Sequence, residues 1–319
     1  MEKTIHFVSL GCAKNRVDTE VMLGVSDVGG FRYVEDPSDA EVIVVNTCGF
    51  IGPAKEESVD TIIEMGRFKE DGKLEKLVVA GCLSQRYADQ LAVDMPEVDH
   101  FLGSSDMLKL KDVLDGDAAR MLVGNPANWT MRATDPRHLT QSGHSAYVKI
   151  AEGCNRICSF CAIPGIRGKQ RSRPLEDIVT EVRTLVSRGV VEVNLVSQDT
   201  IAYGRDLDDK PTLAALLNAL ADIPGLPWIR VHYLYPESLT KELIEVFKAR
   251  ANVLPYIDMP LQHASDAMLK RMRRGHGGDR NRRVVEKLRA ALPNAVLRTT
   301  FIVGFPGETD EDFEALVEF

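Results

Sequence analysis

Short apolar runs recur through the first hundred residues, each followed by apolar positions at helical spacing. IHFVSL (5–10), EVIVVN (41–46), KLVVAG (76–81) and VDHFLG (98–103) read as strands. The stretches 15–28, 56–67 and 84–93 between them read as helices. Strands that are apolar on both faces, separated by helices, predict a parallel sheet covered on both sides.

From about residue 116 to 145 the alternation stops. Asn125, Pro126, Asn128, Pro136 and Gly143 fall in a segment with few apolar runs. It is expected to join two domains, with short antiparallel strands in it. Alternation then resumes, with strands expected at 147–151, 192–196, 228–233, 254–259 and 295–303. Helices are expected at 174–187, 212–221, 239–249, 266–272 and 280–291. Repeated strand–helix units of this length predict a full or partial β/α barrel. Thr309 is placed to cap a last helix through DEDFEALVEF. The expected fold is therefore α/β: a parallel-sheet domain over 1–118, a junction over 119–142, and a partial (β/α) barrel over 143–319. Because the chain stops inside that helix, the barrel is expected to be incomplete at its C-terminal end.

Composition adds limits. The chain has 319 residues, 44% hydrophobic and 27% charged, the balance of a soluble globular protein of two domains. No run of eighteen apolar residues occurs and the start lacks the layout of a secretion signal, so a cytoplasmic location and no membrane span are expected. A net charge of −8 argues against a surface built to grip naked nucleic acid. The basic stretch KRMRRGHGGDRNRR (270–283) is a local exception, read as a solvated helix end or as a face for an anionic partner.

The six cysteines carry the chemistry. Without an export signal, three disulfides are not expected, and metal or catalytic use is the better reading. Cys154, Cys158 and Cys161 lie in AEGCNRICSFCAIP, a C-x3-C-x2-C pattern just after the first barrel strand. Barrel enzymes place their chemistry at that end of the strands. Three thiolates on one loop hold three irons of a [4Fe–4S] cluster and leave the fourth open to a ligand. Structural zinc normally takes four ligands, and no fourth cysteine is near. Zinc and inert thiols stay as alternatives.

Cys12, Cys48 and Cys82 occur in SLGC, NTCGF and AGCLSQ, each closely following an expected parallel strand. The ends of parallel strands share one sheet edge, where open α/β folds bind ligands. Gly11, Gly49 and Gly81 flank these thiols and allow close backbone approach. A second cluster with one open iron is the preferred reading, against three buried inert thiols.

Both cysteine sets, with SLGCAKNRVDTE, CSFCAIPGIRGKQRSRP, VSQDTIAYGRDL and VHYLYP, resemble the radical S-adenosylmethionine (SAM) methylthiotransferases over essentially the whole chain. Ser197–Thr200 resembles the branch that modifies a ribosomal protein rather than tRNA. The resemblance implies two [4Fe–4S] clusters and SAM. It also implies a methylthio group added to the β-carbon of an aspartate in ribosomal protein S-twelve, with a flavodoxin or ferredoxin as electron donor. Around SAM it points to Phe160 on the adenine side, Gln198 and Asp199 after the second barrel strand, Gln262 and His263 after the fourth, and Arg298 with Gly304 on and after the fifth. Members usually continue into a complete open barrel and a small β-barrel TRAM domain, and the present sequence is expected to lack both. The alternatives are a tRNA (isopentenyl-adenosine) methylthiotransferase and a non-catalytic iron–sulfur electron-transfer protein.

Overall fold

The computed structural model describes residues 3–140, 143–236 and 239–319. Residues 141 and 142, the end of the expected junction, lie outside them. The chain forms two compact units: 1–142 with 162–169, and 143–161 with 170–319.

In the first unit, β1 (Thr4–Ser9), β2 (Arg32–Tyr33), β3 (Val42–Thr47), β4 (Lys76–Gly81), β5 (His100–Leu102) and β6 (Met121–Leu122) form one sheet in the order β2-β1-β3-β4-β5-β6. Every pairing is parallel. The helices are α1 (Ala13–Val28), α2 (Gly52–Gly66), the single turn α3 (Phe68–Asp71), α4 (Cys82–Asp94) and α5 (Leu110–Asp115). Alternate residues of the central strands serve the two faces. Ile43, Val45, Leu77, Val79 and Phe101 pack with Ile62 and Met65 of α2 and Leu83, Ala88 and Leu91 of α4. Burial of one such side chain contributes roughly 1.5–3 kcal/mol. On the other face α1 packs against β1 and β3 and beside α5.

Part of the expected junction belongs to this sheet, and its strand is parallel rather than antiparallel. Phe101 and Gly103 donate to the carbonyls of Arg120 and Leu122, which draws β6 alongside β5. Residues 136–140 then lie against α1. Met131 is buried, and a Cβ at Gly24 would stand 2.5 Å from the backbone of Pro136 and Arg137. This strap explains why α1 buries Glu20, whose carboxylate accepts from Arg137 at 2.6 Å and from the Thr140 hydroxyl at 3.0 Å.

In the second unit, β7 (Ser145–Lys149) leads into a short antiparallel pair, β8 (Ala151–Glu152) with β9 (Arg171–Ser172). The short helix α6 (Ile163–Arg167), between β8 and β9 in sequence, belongs to the first unit. Then come α7 (Leu175–Ser187), β10 (Glu192–Val196), α8 (Leu213–Ala221), β11 (Trp228–Val231), α9 (Lys241–Ala249), β12 (Val253–Asp258), α10 (Asp266–Arg271), α11 (Gly278–Ala291), β13 (Val296–Arg298) and α12 (Asp310–Glu318). The strands β13-β12-β11-β10-β7 form an open, wholly parallel five-stranded sheet. The last strand is shorter than expected: after Arg298 only an isolated bridge between Gln262 and Phe301 remains. Thr309 caps α12 as expected, in a reciprocal capping box with Asp312. Among the described residues no helix is long and apolar enough to cross a membrane.

Candidate metal centres

In the first unit the topology brings three distant cysteines to one edge. Cys48 directly follows β3, Cys82 opens α4 directly after β4, and Cys12 immediately precedes α1, three residues beyond β1. Those strands are neighbours, paired Ser9 to Asn46 and Thr47 to Gly81. Gly11 has φ +87°, and a Cβ there would stand 2.9 Å from Cys48 Cβ and 3.3 Å from Cys48 Sγ. Asn15, 1% exposed, ties the edge together. Its Nδ2 donates to Thr47 O at 2.8 Å and Leu10 O at 3.2 Å, and its carbonyl accepts from Asn46 Nδ2 at 2.8 Å.

Arg167 of α6 reaches the same edge. It is 2% exposed, and its Nη2 donates to Asn15 Oδ1 and Asp18 Oδ2, both at 2.7 Å, and lies 3.6 Å from Cys82 Sγ. The thiols feel these charges differently. Desolvation opposes ionisation of Cys12, but Lys14, Arg167 and the backbone N–H groups of Asn15 and Lys14 outweigh it and lower its pKa. Burial pushes Cys48 up despite the Phe50 N–H, and pushes Cys82 up despite Arg167. Cys12 acts electrostatically on both partners, so the three sulfurs share one field.

In the second unit Cys154, Cys158 and Cys161 follow β8 on one loop. Burial pushes the Cys154 thiol up to about 11 against the Arg156 N–H, with Asp199, Cys161 and Cys158 adding to the rise. Arg156 Nε donates to Asp199 Oδ2 at 2.7 Å, and its guanidinium carbon lies 3.7 Å from the Tyr235 ring centroid. Arg274, 5% exposed, places its guanidinium 4.0 Å from the same ring and its Nη1 3.5 Å from Cys158 Sγ. Tyr235 Oη donates to Arg274 O at 2.6 Å.

Among the described residues no three His, Cys, Asp or Glu side chains close on a single metal ion. Each trio supplies three cysteines, the donor set that leaves one iron of a [4Fe–4S] cluster open, rather than the four ligands of a structural zinc. Asp199, whose charge reaches Cys154, has its Oδ1 buried without a partner, and the amide of Gln198, next to it in sequence, has both its oxygen and its nitrogen likewise unmatched. Buried polar atoms left unsatisfied cost roughly 1–3 kcal/mol each, so this pair fits a polar ligand that supplies the missing bonds.

The other expected cofactor residues divide. His263 is fully buried with both ring nitrogens committed: Nδ1 accepts from Ser265 N at 3.0 Å, so Nε2 carries the proton and donates to Glu308 Oε1 at 3.2 Å. It anchors the 301–308 turn rather than presenting a free nitrogen. Arg298, half-exposed, donates to Asp258 Oδ1 at 2.8 Å. Gln262 holds φ +73° and is bonded through its backbone to Thr300 and Ile302. Phe160 is half-buried, and Gly304 sits at φ +70° in an exposed turn. Sequence reasoning missed Asn15, Asp18, Arg167, Arg156, Tyr235 and Arg274. Asn15 and Asp18 are in SLGCAKNRVDTE, Arg167 in CSFCAIPGIRGKQRSRP and Tyr235 in VHYLYP, so the signal was their place in those segments.

The radical SAM superfamily model matches residues 148–319, more than half of the chain. The chain belongs to the radical SAM superfamily. A second model, described as uncharacterized protein family UPF0004, matches residues 4–103. Similar proteins named ribosomal protein uS12 methylthiotransferase RimO occur in Sorangium cellulosum (63% identical), Myxococcus xanthus (50%) and Anaeromyxobacter sp. strain K (48%). The matches cover 99%, 99% and 100% of this chain, and 66%, 66% and 68% of those proteins, so the chain spans about two-thirds of its relatives. Within the superfamily it falls in the RimO family. Among solved structures, the radical SAM methyltransferase TsrM from Kitasatospora setae matches with a TM-score of 0.71 over 100% of this chain and 70% of that one, at 15% identity. The cobalamin-dependent radical SAM enzyme OxsB matches at 0.66 and 14% identity, over 99% of this chain and 51% of that one. At those identities the likeness is one of fold.

Proposed function

We propose that this chain carries the catalytic part of a radical SAM methylthiotransferase that adds a methylthio group to the β-carbon of an aspartate in ribosomal protein uS12. The observation that carries the reading is the pair of thiol trios, one at the ends of three parallel strands in the first unit and one on the single loop after β8 in the second. Cys154, Cys158 and Cys161 would hold one [4Fe–4S] cluster, and Cys12, Cys48 and Cys82 a second. When bound, the first cluster with SAM supplies a carbon-centred radical able to abstract hydrogen from an unactivated carbon, and the second supplies a place for sulfur.

The protein's part is binding and orientation. Gln198 and Asp199 offer unmatched buried acceptors and donors to the polar end of SAM. Arg156 neutralises Asp199 on one side and leaves Oδ1 available. Phe160, Gln262, Arg298 and Gly304 are assigned to the same cofactor's surroundings, and His263 to holding the turn behind them. The names of the relatives support uS12 over tRNA as the target. A ribosomal substrate fits a cytoplasmic location, and a flavodoxin or ferredoxin is the expected reductant.

The test is anaerobic reconstitution of the chain. About eight irons per chain, formation of 5′-deoxyadenosine from SAM, and a methylthio mass increase on uS12 are expected. A tRNA arm, read by nucleoside mass spectrometry, is expected to stay unmodified. About four irons, or an unchanged uS12 mass with active clusters, would overturn the reading.

A further inference from the structure

The edge that carries Cys12, Cys48 and Cys82 holds a buried cation that cluster ligation does not require. Arg167 is 2% exposed, and its Nη2 faces Asn15 Oδ1, Asp18 Oδ2 and Cys82 Sγ. Asp18 is fully buried, so the pair is not a surface bridge. An Arg–Asp pair needs no cysteine beside it, yet this one sits against the most buried thiol of the trio. Its charge acts on all three sulfurs, whereas Lys14 adds to Cys12. Asn15 also bridges the parts: it accepts from Arg167, lies 3.5 Å from Cys82 Sγ, and donates to the carbonyl of Thr47, the residue before Cys48.

Three thiolates at one sheet edge bring concentrated negative charge into a poorly hydrated place, and a cation there offsets it. We propose that Arg167 is the positioning residue of this centre, fixing Cys82 and, through its charge, setting how readily the iron–sulfur group on the trio is reduced. The inference rests on the proposed function, since it takes the trio to be a cluster site. It goes further by assigning the centre's tuning to a residue on α6, which lies 85 positions along the chain from Cys82. Local charge and hydrogen bonding are the levers by which proteins shift such potentials.

The experiment uses the full chain with Cys154, Cys158 and Cys161 replaced by alanine, so that one cluster remains. Variants Arg167→Lys, Asp18→Asn and the double Arg167→Met/Asp18→Asn are reconstituted, and read by iron content, electron paramagnetic resonance and potentiometric titration. The double variant removes both members of the ion pair, so it separates tuning from the cost of leaving one of them alone in the core. It is expected to fold but to reduce at least tenfold less favourably, about 59 mV for one electron. Asp18→Asn, which unmasks Arg167, is expected to shift the potential the other way. Arg167→Lys is expected to return within about threefold of the parent. A folded double variant that binds no iron, while Arg167→Lys binds it, also supports the role. A double variant with the parent's iron content, spectrum and potential would reduce Arg167 to the ion-pair partner of Asp18 and overturn the inference. A parent trio that binds no iron would instead sink the cluster reading itself.

Discussion

Gly81 links the fold to the first thiol trio, and replacing it by alanine tests that link. It lies between β4 and Cys82 with φ +95° and ψ −150°, a region essentially reserved for glycine. A Cβ there would stand 2.3 Å from Asn46 Oδ1, 2.8 Å from Thr47 O and 3.1 Å from Thr47 N. Two costs follow: about 1–3 kcal/mol for the backbone conformation and about 1–3 kcal/mol for forcing buried neighbours apart. Gly116 is the control. It ends α5 at φ +91° and ψ 3°, and a Cβ there meets nothing within 4 Å. Gly116→Ala therefore carries only left-handed strain, about 1–2 kcal/mol. The unfolded-chain entropy gained by alanine is common to both and cancels. Urea unfolding of the iron-free chain is expected to show Gly81→Ala roughly 2–5 kcal/mol less stable than wild type, and at least about 1 kcal/mol below Gly116→Ala. Its reconstituted iron content should also fall, because Thr47 and Asn46 must shift and Cys48 shifts with them. Equal midpoints for the two variants would refute the claim that the strand edge is closed around Gly81.

Brief alkylation of the iron-free chain near pH 8, followed by peptide mass mapping, should label Cys12 first, since it is the exposed residue of its trio and its pKa is lowered. Cys82 and Cys154 should be labelled last, both buried and pushed up, Cys154 to about 11. Asp258 is held below its ordinary 3.8: burial opposes ionisation, but hydrogen bonds from His232 and Arg298 and the Arg298 charge prevail. A lowered carboxyl adds stability above its unfolded pKa and loses it as pH falls through the folded one. The stability difference between wild type and Asp258→Asn should therefore be full above about pH 4 and shrink below 3.8 in acid titrations of unfolding. Thr309→Ala removes the capping box and should cost about 1 kcal/mol, read as faster hydrogen exchange in α12 with little change in β10 or β11.

The strand–helix alternation was legible because both sheets are parallel and buried on two faces. Continuous apolar runs such as KLVVAG and EVNLV have few other homes. Lys76–Gly81 and Glu192–Val196 match the expected strands residue for residue. The expectation failed where pairing depends on distant partners. Met121–Leu122 carries too short an apolar run to announce a strand and becomes one because β5 offers its open edge. The edge shared by Cys12, Cys48 and Cys82 was legible because each follows an expected strand, and those strands form as expected. The residues around them were not: Arg167 meets Asn15 across 152 positions, and Asp18 and Glu20 look like ordinary solvent-facing residues of a helix. Nothing periodic marks a carboxylate that will be buried by a distant arginine. His263 shows the converse, since a histidine in a motif-rich loop draws a functional reading that its two committed nitrogens do not support.

The second sheet poses a problem that its polar residues answer. An open sheet lacks the closing ladder that holds a full barrel in shape, yet the loops at its strand ends must place Gln198, Asp199 and Tyr235 consistently. A hydrogen-bonded chain crosses all five strand positions. Asn194 Nδ2 reaches Ser145 Oγ at 3.2 Å, and His232 Nε2 meets Asn194 Oδ1 at 3.1 Å. His232 Nδ1 meets Asp258 Oδ2 at 3.2 Å, and Arg298 Nη1 donates to Asp258 Oδ1 at 2.8 Å. Ser145 is on β7, Asn194 on β10, His232 just beyond β11, Asp258 on β12 and Arg298 on β13. Each link joins neighbouring strands, so a shift of any of the three inner strands strains two hydrogen bonds as well as its backbone ladder. Such networks are costly when partly satisfied and rigid when complete. The chain runs beneath the segments that follow β10, β11 and β12, which carry Gln198, Tyr235 and His263. Asp258 also accepts from Tyr233 N at 3.3 Å, coupling the network directly to the VHYLYP segment. The polar layer thus does for the open sheet part of what closure does for a full barrel, on the strands that lead into the Gln198, Tyr235 and His263 segments.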